Sequence, residues 1–175
     1  HLYTIYYHPI KKNIIHKEEG TTRDWHKNHV KNLSNIYIFD TPGIIFNNKK
    51  INTIDFFSLF KLIDKFIYVI DYKDKNYENE VLFLNNLRTF NKEIILIINK
   101  DDNNEKNLNI DKLGIDTFFF TSCAHNSGFP EVFEYLKKFE NNSKIEKTNY
   151  FSVAIFGKPN AGKSTLANSI FGYER

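Results

Sequence analysis

A chain of 175 residues, 41% hydrophobic and 26% charged, is the size of one globular domain and long enough to bury a core. Its formal charge of +3 is mild and its lysines and asparagines are scattered, which reads as a compositional habit and not as a nucleic-acid patch. One cysteine excludes an internal disulfide and suits a reducing cytoplasm, no apolar run approaches the roughly 20 residues of a membrane span, and no signal peptide is visible.

The chain starts at His1 and contains no methionine, which suggests a piece of a longer protein. Residues His1 to Ile10 are aromatic and apolar and read as a strand or a displaced segment. Lys11 to Trp25 is polar, carries Gly20-Thr21-Thr22-Arg23-Asp24, and reads as a loop before a strand at about Trp25 to Val30. Ile36-Tyr-Ile-Phe-Asp40-Thr41-Pro42-Gly43 is an apolar strand ending in D-x-x-G. A carboxylate there, Asp40, can reach a Mg²⁺ shell, and the N–H of Gly43 can sense a terminal phosphate. A loop with Asn47, Asn48, Lys49 and Lys50 precedes a helix carrying Phe56, Leu59, Phe60 and Ile63 at helical spacing. Phe66 to Asp71 is the next buried strand, and Tyr77 to Phe90 a helix with Phe83, Leu84, Leu87 and Phe90 inward.

Glu93 to Asp102 is a buried strand delivering Asn99-Lys100-Asp101-Asp102, an N-K-x-D pattern. The carboxylate of Asp102 can accept from the ring N–H and the exocyclic amine of guanine, a donor pair that adenine lacks, and a site built on such bonds rejects the wrong base by ~10⁴ or more. The stem of Lys100 can lie along the base, and Asn99 can tie this loop to a phosphate loop. Asn103 to Gly114 is a polar connection with room for a short helix. Thr117 to Thr121 is another strand, running into Ser122-Cys123-Ala124, whose backbone N–H groups can contact the guanine carbonyl; Cys123 reads as a small packed residue. Pro130 to Phe139 is a helix, with Pro near its start and Lys137 and Lys138 in its last turn.

After a polar stretch from Glu140 to Asn149 comes Phe151 to Phe156, an apolar run, and then Gly157-Lys-Pro-Asn160-Ala161-Gly162-Lys163-Ser164-Thr165 before a helix-like segment. This is the phosphate-binding P-loop in its strand-to-helix context. Gly157 and Gly162 permit the tight turn that converges backbone N–H groups on phosphate oxygens. Lys163 would neutralise the β- and γ-phosphates, and Ser164 would offer its hydroxyl to Mg²⁺. The six histidines read as solvated surface groups, and neither a metal-ligand cluster nor a Ser/His/Asp arrangement is evident.

In this order, T-T-R-D, D-T-P-G, N-K-x-D and S-C-A resemble the motifs of translation-factor-class GTPases. Their restart with G-K-P-N-A-G-K-S-T after a short linker resembles the tandem-domain bacterial GTPases of the Der (EngA) family, relatives of Era and MnmE. The resemblance implies an α/β P-loop NTPase fold (a G domain), with a mostly parallel sheet flanked by helices on both faces. It implies GTP/GDP and Mg²⁺ as ligands and hydrolysis of GTP by the parent protein. The implied role is a cytoplasmic switch in large-subunit ribosome biogenesis, with ribosomal RNA and protein as partners and no membrane or DNA. By the same resemblance Thr22 ligates Mg²⁺ with Ser164 and Asp40, Asn160 helps to hold a potassium ion, and Lys163, Thr22 and Gly43 serve the chemistry. Nucleotide contacts fall to Gly157, Asn160, Ala161, Gly162, Lys163, Ser164, Thr165, Asn99, Lys100, Asp102, Ser122, Cys123 and Ala124. Ile44 stands where many GTPases place a water-orienting glutamine, so slow intrinsic turnover is expected. Cys123 replaces the usual alanine, and D-T-P-G replaces the D-T-G-G usual in the first domain of the family.

Residues 1–140 then read as a first G domain lacking its own P-loop, 141–150 as a linker, and 151–175 as the start of a second G domain. An inert or merely nucleotide-binding piece is the alternative, because the P-loop and the base-reading motifs nominally belong to different domains. A third reading is a circularly permuted single G domain: Phe151 to Phe156 can fill the central gap in the first sheet, and a ten-residue linker spans up to ~33 Å.

Overall fold

The computed structural model describes residues 14–15, 26–30, 32–33, 35–47, 50–51, 57–106, 108–140 and 150–172. Four apolar runs have no alternation of polar residues, which marks strands covered on both faces. They form β3 (Ile36–Asp40), β6 (Lys65–Asp71), β7 (Ile94–Asn99) and β9 (Phe151–Gly157) of a seven-stranded sheet. With β1 (Ile14–Ile15), β2 (His26–His29) and β8 (Phe118–Thr121), the order across the sheet is β1-β2-β3-β9-β6-β7-β8. From β3 to β8 every pairing is parallel, and β1 and β2 add an antiparallel edge.

The last strand in the sequence is therefore central in space. On one side β9 pairs with β3 from Ile36 against Phe151 to Asp40 against Ile155; on the other it pairs with β6 from Lys65 against Val153 to Val69 against Gly157. Val153, Ala154, Ile155 and Phe156 are all fully buried. Burying the three larger side chains contributes on the order of 5 kcal/mol, as much as the whole net stability of many domains.

The two-residue period of the strands divides the apolar runs between two cores. Phe66, Tyr68, Ile70, Leu96, Ile98, Ala154 and Phe156 face α1 (Phe57–Leu62) and α2 (Glu78–Arg88), which contribute Phe60, Phe83, Leu84 and Leu87. Ile67, Val69, Ile95, Ile97, Val153 and Ile155 face α3 (Phe129–Lys137) and α4 (Lys163–Phe171), which contribute Val132, Leu136, Leu166 and Ile170. The mostly parallel sheet with helices on both faces is thus present as the motifs imply.

The differences are local. The helix expected over Tyr77 to Phe90 is two residues shorter at its end, where Phe90 N–H donates to the Leu87 carbonyl at 3.1 Å and the turn tightens. Among its described residues, the polar connection after Asn103 holds a three-residue 3₁₀ turn, Asp111–Leu113, closed by Gly114 at φ 55°. Within the loop expected around Asn47 to Lys50, β4 (Phe46–Asn47) and β5 (Lys50–Ile51) form a small hairpin. Tyr150, read as the end of a linker, packs edge-on to Tyr37 with ring centroids 5.2 Å apart. His1 to Ile10, Thr21 to Trp25, Phe56 and residues 141–149 lie outside the described residues.

Candidate functional site

The parallel strands end together at one edge of the sheet, and polar residues stand there: Asp40 on β3, Asp71 on β6, Asn99 on β7 and Gly157 on β9. The loop after β9 is shaped by backbone that glycine permits. A Cβ on Gly157, at φ 153°, would collide with the Val69 carbonyl, and one on Gly162, at φ 94°, would strike the side-chain amide of Asn99. Asn160 takes a left-handed φ of 63° between them. The chain then enters α4 at Lys163, so the unpaired N–H groups and positive end of that helix face the loop. Lys163 is only 6% exposed and donates to the Lys158 carbonyl at 2.9 Å. Burial pushes its pKa down, and the nearby Asp40 charge partly restores it. Among the described residues no carboxylate lies in ion-pair range of this ammonium. A buried cation with three donors and one carbonyl partner is chemically short of an anion, which a phosphate supplies.

Asp40 ends β3 beside β9, and its Oδ1 is buried without a hydrogen-bond partner. An unsatisfied carboxylate oxygen of this kind fits Mg²⁺, which takes only one or two carboxylates together with phosphate oxygens and water. The exposed Ser164, second residue of α4, can add its hydroxyl; Thr22 lies outside the described residues. Among the described residues no group of three or more His, Cys, Asp or Glu side chains is placed to hold a metal by itself. Gly43 sits against the loop, since a Cβ there would come within 2.8 Å of the Pro159 nitrogen. Its neighbour Ile44 donates its N–H to the Gly157 carbonyl at 3.0 Å, and its side chain is buried in the core and carries nothing that could orient water.

Asn99, 1% exposed, joins the two ends of the site. Its Nδ2 donates to the Ala161 carbonyl at 3.0 Å, and its Oδ1 accepts from Thr121 Oγ1 at 3.2 Å and Cys123 N at 3.4 Å. The two aspartates that follow have separate tasks. Asp101 is buried and accepts from the N–H groups of Glu105 and Lys106, closing its own loop. Asp102 is exposed, and Ser122 Oγ donates to its Oδ1 at 2.6 Å, which orients the carboxylate. Lys100 adopts φ 67° and pairs with Asp71 at 2.7 Å. Burial raises the Asp71 pKa, but its bonds from Lys100 and the Lys73 N–H outweigh this and hold it below the usual carboxylate value. Cys123 is half-buried, with its pKa raised by burial, and Ala124 is exposed beside it.

The structure thus brings Gly157 to Thr165, Asp40, Gly43 and Asn99 to Asp102 to one edge of the sheet, with Ser122 to Ala124 adjoining. Asp71, Thr121 and the Ser122 side chain went unread in the sequence. Asp71 had a signal, because it ends a buried strand in the same way as Asp40 and Asn99.

This arrangement defines a P-loop nucleotide-binding α/β domain. The chain matches the family described as 50S ribosome-binding GTPase over residues 7–100 and 152–175, and it belongs to that family. It is 32% identical to GTPase Der of Nautilia profundicola over 93% of this chain and 42% of that protein. To GTPase Der of Mycoplasmopsis pulmonis it is 29% identical, over 93% of this chain and 39% of that protein. The chain therefore spans about two fifths of the length of these relatives. The solved structure of YjeQ from Thermotoga maritima superposes with a TM-score of 0.44 at 18% identity, over 87% of this chain and 51% of that one; the family assignment does not depend on it.

Proposed function

We propose that this chain binds GTP at the shared edge of its sheet, with the phosphates in the Gly157 to Thr165 loop and guanine against Asp102. The observation that carries this reading is the bond from Asn99 of the N-K-x-D segment to Ala161 of the phosphate loop, which ties the two motifs to each other and supports a shared site. Bound Mg²⁺ would neutralise charge developing on the transferred phosphoryl group. Asp40, Ser164 and Thr22 would hold it, while Lys163 and the start of α4 would offset the remaining negative charge and Gly43 N–H would meet the terminal phosphate. Potassium at Asn160 rests on the family resemblance alone.

For the parent protein we infer hydrolysis of GTP to GDP and phosphate as a cytoplasmic switch in assembly of the large ribosomal subunit, with ribosomal RNA and protein as partners. The family description and the Der relatives support this. Among the described residues no helix is long and apolar enough to cross a membrane. With the buried Ile44 in place of a water-orienting side chain, turnover is slow. Colinear similarity to Der supports residues 1–140 as a first G domain and 151–175 as the opening of a second. The place of β9 between β3 and β6 favours the reading in which that strand completes the first sheet.

The test is calorimetric titration of the chain with GTP and ATP in Mg²⁺, followed by phosphate release. GTP is expected to bind and ATP to bind far more weakly. Equal affinity for the two defeats the guanine assignment, and no affinity for either leaves the inert alternative.

A further inference from the structure

The phosphate loop contains two lysines, and they are used in opposite ways. Lys163 has its ammonium buried beside the Lys158 carbonyl. The ammonium of Lys158 lies 2.7 Å from Asp74 Oδ2 and 2.5 Å from Glu80 Oε1, outside the loop and against the start of α2. Between the loop and this helix lies a cavity of about 290 Å³ lined in part by Asp71, Asp74, Glu80, Lys158 and Asn160. We propose that Lys158 is a positioning residue: clamped by Asp74 and Glu80, it fixes the phosphate loop on α2 and acts through the loop backbone, without touching phosphate.

Three features support this role. The carbonyl of Lys158 accepts from Lys163 Nζ at 2.9 Å and from Ala161 N at 3.4 Å, so moving its main chain moves the phosphate-binding lysine. The clamp is itself held in place. Asp74 N–H donates to the Asp71 carbonyl at 3.0 Å, and Asp74 Oδ1 accepts from Asn76 N at 3.3 Å. Glu80 sits in the first turn of α2 and is 1% exposed.

The third feature is the cost of losing the cation. Glu80 Oε2 has no partner, nor have the hydroxyls of Tyr68 and Tyr77. Burial, with the charges of Asp74 and Glu80, pushes the Tyr77 pKa up to about 12 and moves Tyr68 in the same direction, so both phenols stay neutral. Burial disfavours the charge on Lys158, but the two carboxylates outweigh it and raise its pKa. An ionised Glu80 at this depth depends on that single ammonium. Replacing Lys158 should therefore have two separable effects, a buried unpaired charge and an untethered loop.

Amide hydrogen exchange of residues 157–165 in the nucleotide-free chain separates them, read beside thermal unfolding and GTP titration for Lys158→Gln, Lys158→Arg and Lys158→Gln/Glu80→Gln. In Lys158→Gln the loop is expected to exchange about tenfold faster or more, with GTP affinity about tenfold weaker. Lys158→Arg restores both. The double variant, with no buried charge to leave unpaired, regains thermal stability while its loop still exchanges fast, and it carries the same test if the single variant is too unstable to study. Unchanged loop exchange in Lys158→Gln, or loop protection regained with stability in the double variant, overturns the proposal. The affinity arm alone rests on the GTP reading: a wild-type chain that binds no guanine nucleotide defeats that reading, while exchange in the free chain still decides the clamp.

Discussion

The proposed phosphate end and the proposed base end of the site are built on different principles. The phosphate end is one contiguous loop of backbone, Gly157 to Thr165, whose shape follows from residues at left-handed φ and from the start of α4. The base end is assembled from side chains on separate segments: Asp102 oriented by Ser122, Lys100 held by Asp71, and Asn99 bonded to Thr121 and Cys123. A backbone loop binds any polyphosphate and is blind to the base, whereas an array of side chains discriminates but depends on its neighbours.

Lys163→Ala tests the first half and should have the largest effect. Several charge-assisted bonds at roughly 1.5–3 kcal/mol each make the loss of affinity a hundredfold or more, with the weak ATP affinity reduced by the same factor. A loss confined to GTP would break the division between the halves. Asp102→Asn tests the second half. It should cut GTP affinity by roughly a hundredfold with ATP little changed, since the lost bonds are those that only guanine makes; retained guanine preference removes Asp102 from the site.

Asn99→Ala strikes the joint. It leaves the Ala161 carbonyl, Thr121 hydroxyl and Cys123 N–H short of a partner, at a cost of about 1–3 kcal/mol in chemical denaturation. Its effect on GTP binding should be non-additive with those of Lys163→Ala and Asp102→Asn, as expected of a shared support. The smallest effect belongs to Asp71→Asn. The Lys100–Asp71 pair is partly exposed and contributes under about 1 kcal/mol. The Asp71 pKa is lower in the fold than its ordinary value of 3.8, so its contribution is complete above that pH and fades as pH falls through the folded value. Wild-type and Asp71→Asn stabilities should therefore converge in acid, and a constant gap there would show that the pair's charge is immaterial.

Much of this was legible because parallel, doubly covered strands leave long apolar runs. β3, β6, β7 and β9 each begin within one residue of the expected position. The β4–β5 hairpin was not legible, since strands of two residues around Asn47 to Lys50 have no period to read. The N-K-x-D pattern singled out Asp102, but not that Asp101 turns inward to close its loop or that Ser122 bonds Asp102, because those contacts depend on Thr121 and Ser122, some twenty residues away. Nothing in the sequence marks Asp74 and Glu80. Only their approach to Lys158, about eighty residues later in the chain, gives them a role.

The sequence by itself determined the phosphate loop, because its donors are consecutive backbone groups and its turns need only glycine and one left-handed asparagine. It also determined the guanine-reading segment as a candidate, because Asn99 to Asp102 ends a buried strand. Only the tertiary structure brings these two to one edge of the sheet, joined by the Asn99–Ala161 bond. Strand order depends on which apolar faces can be covered from both sides, and β9 meets that condition between β3 and β6 although it comes last in the chain. The direction of Lys158 was decided the same way: a lysine in a phosphate loop can face either side, and here two carboxylates from α2 and the turn before it draw it outward.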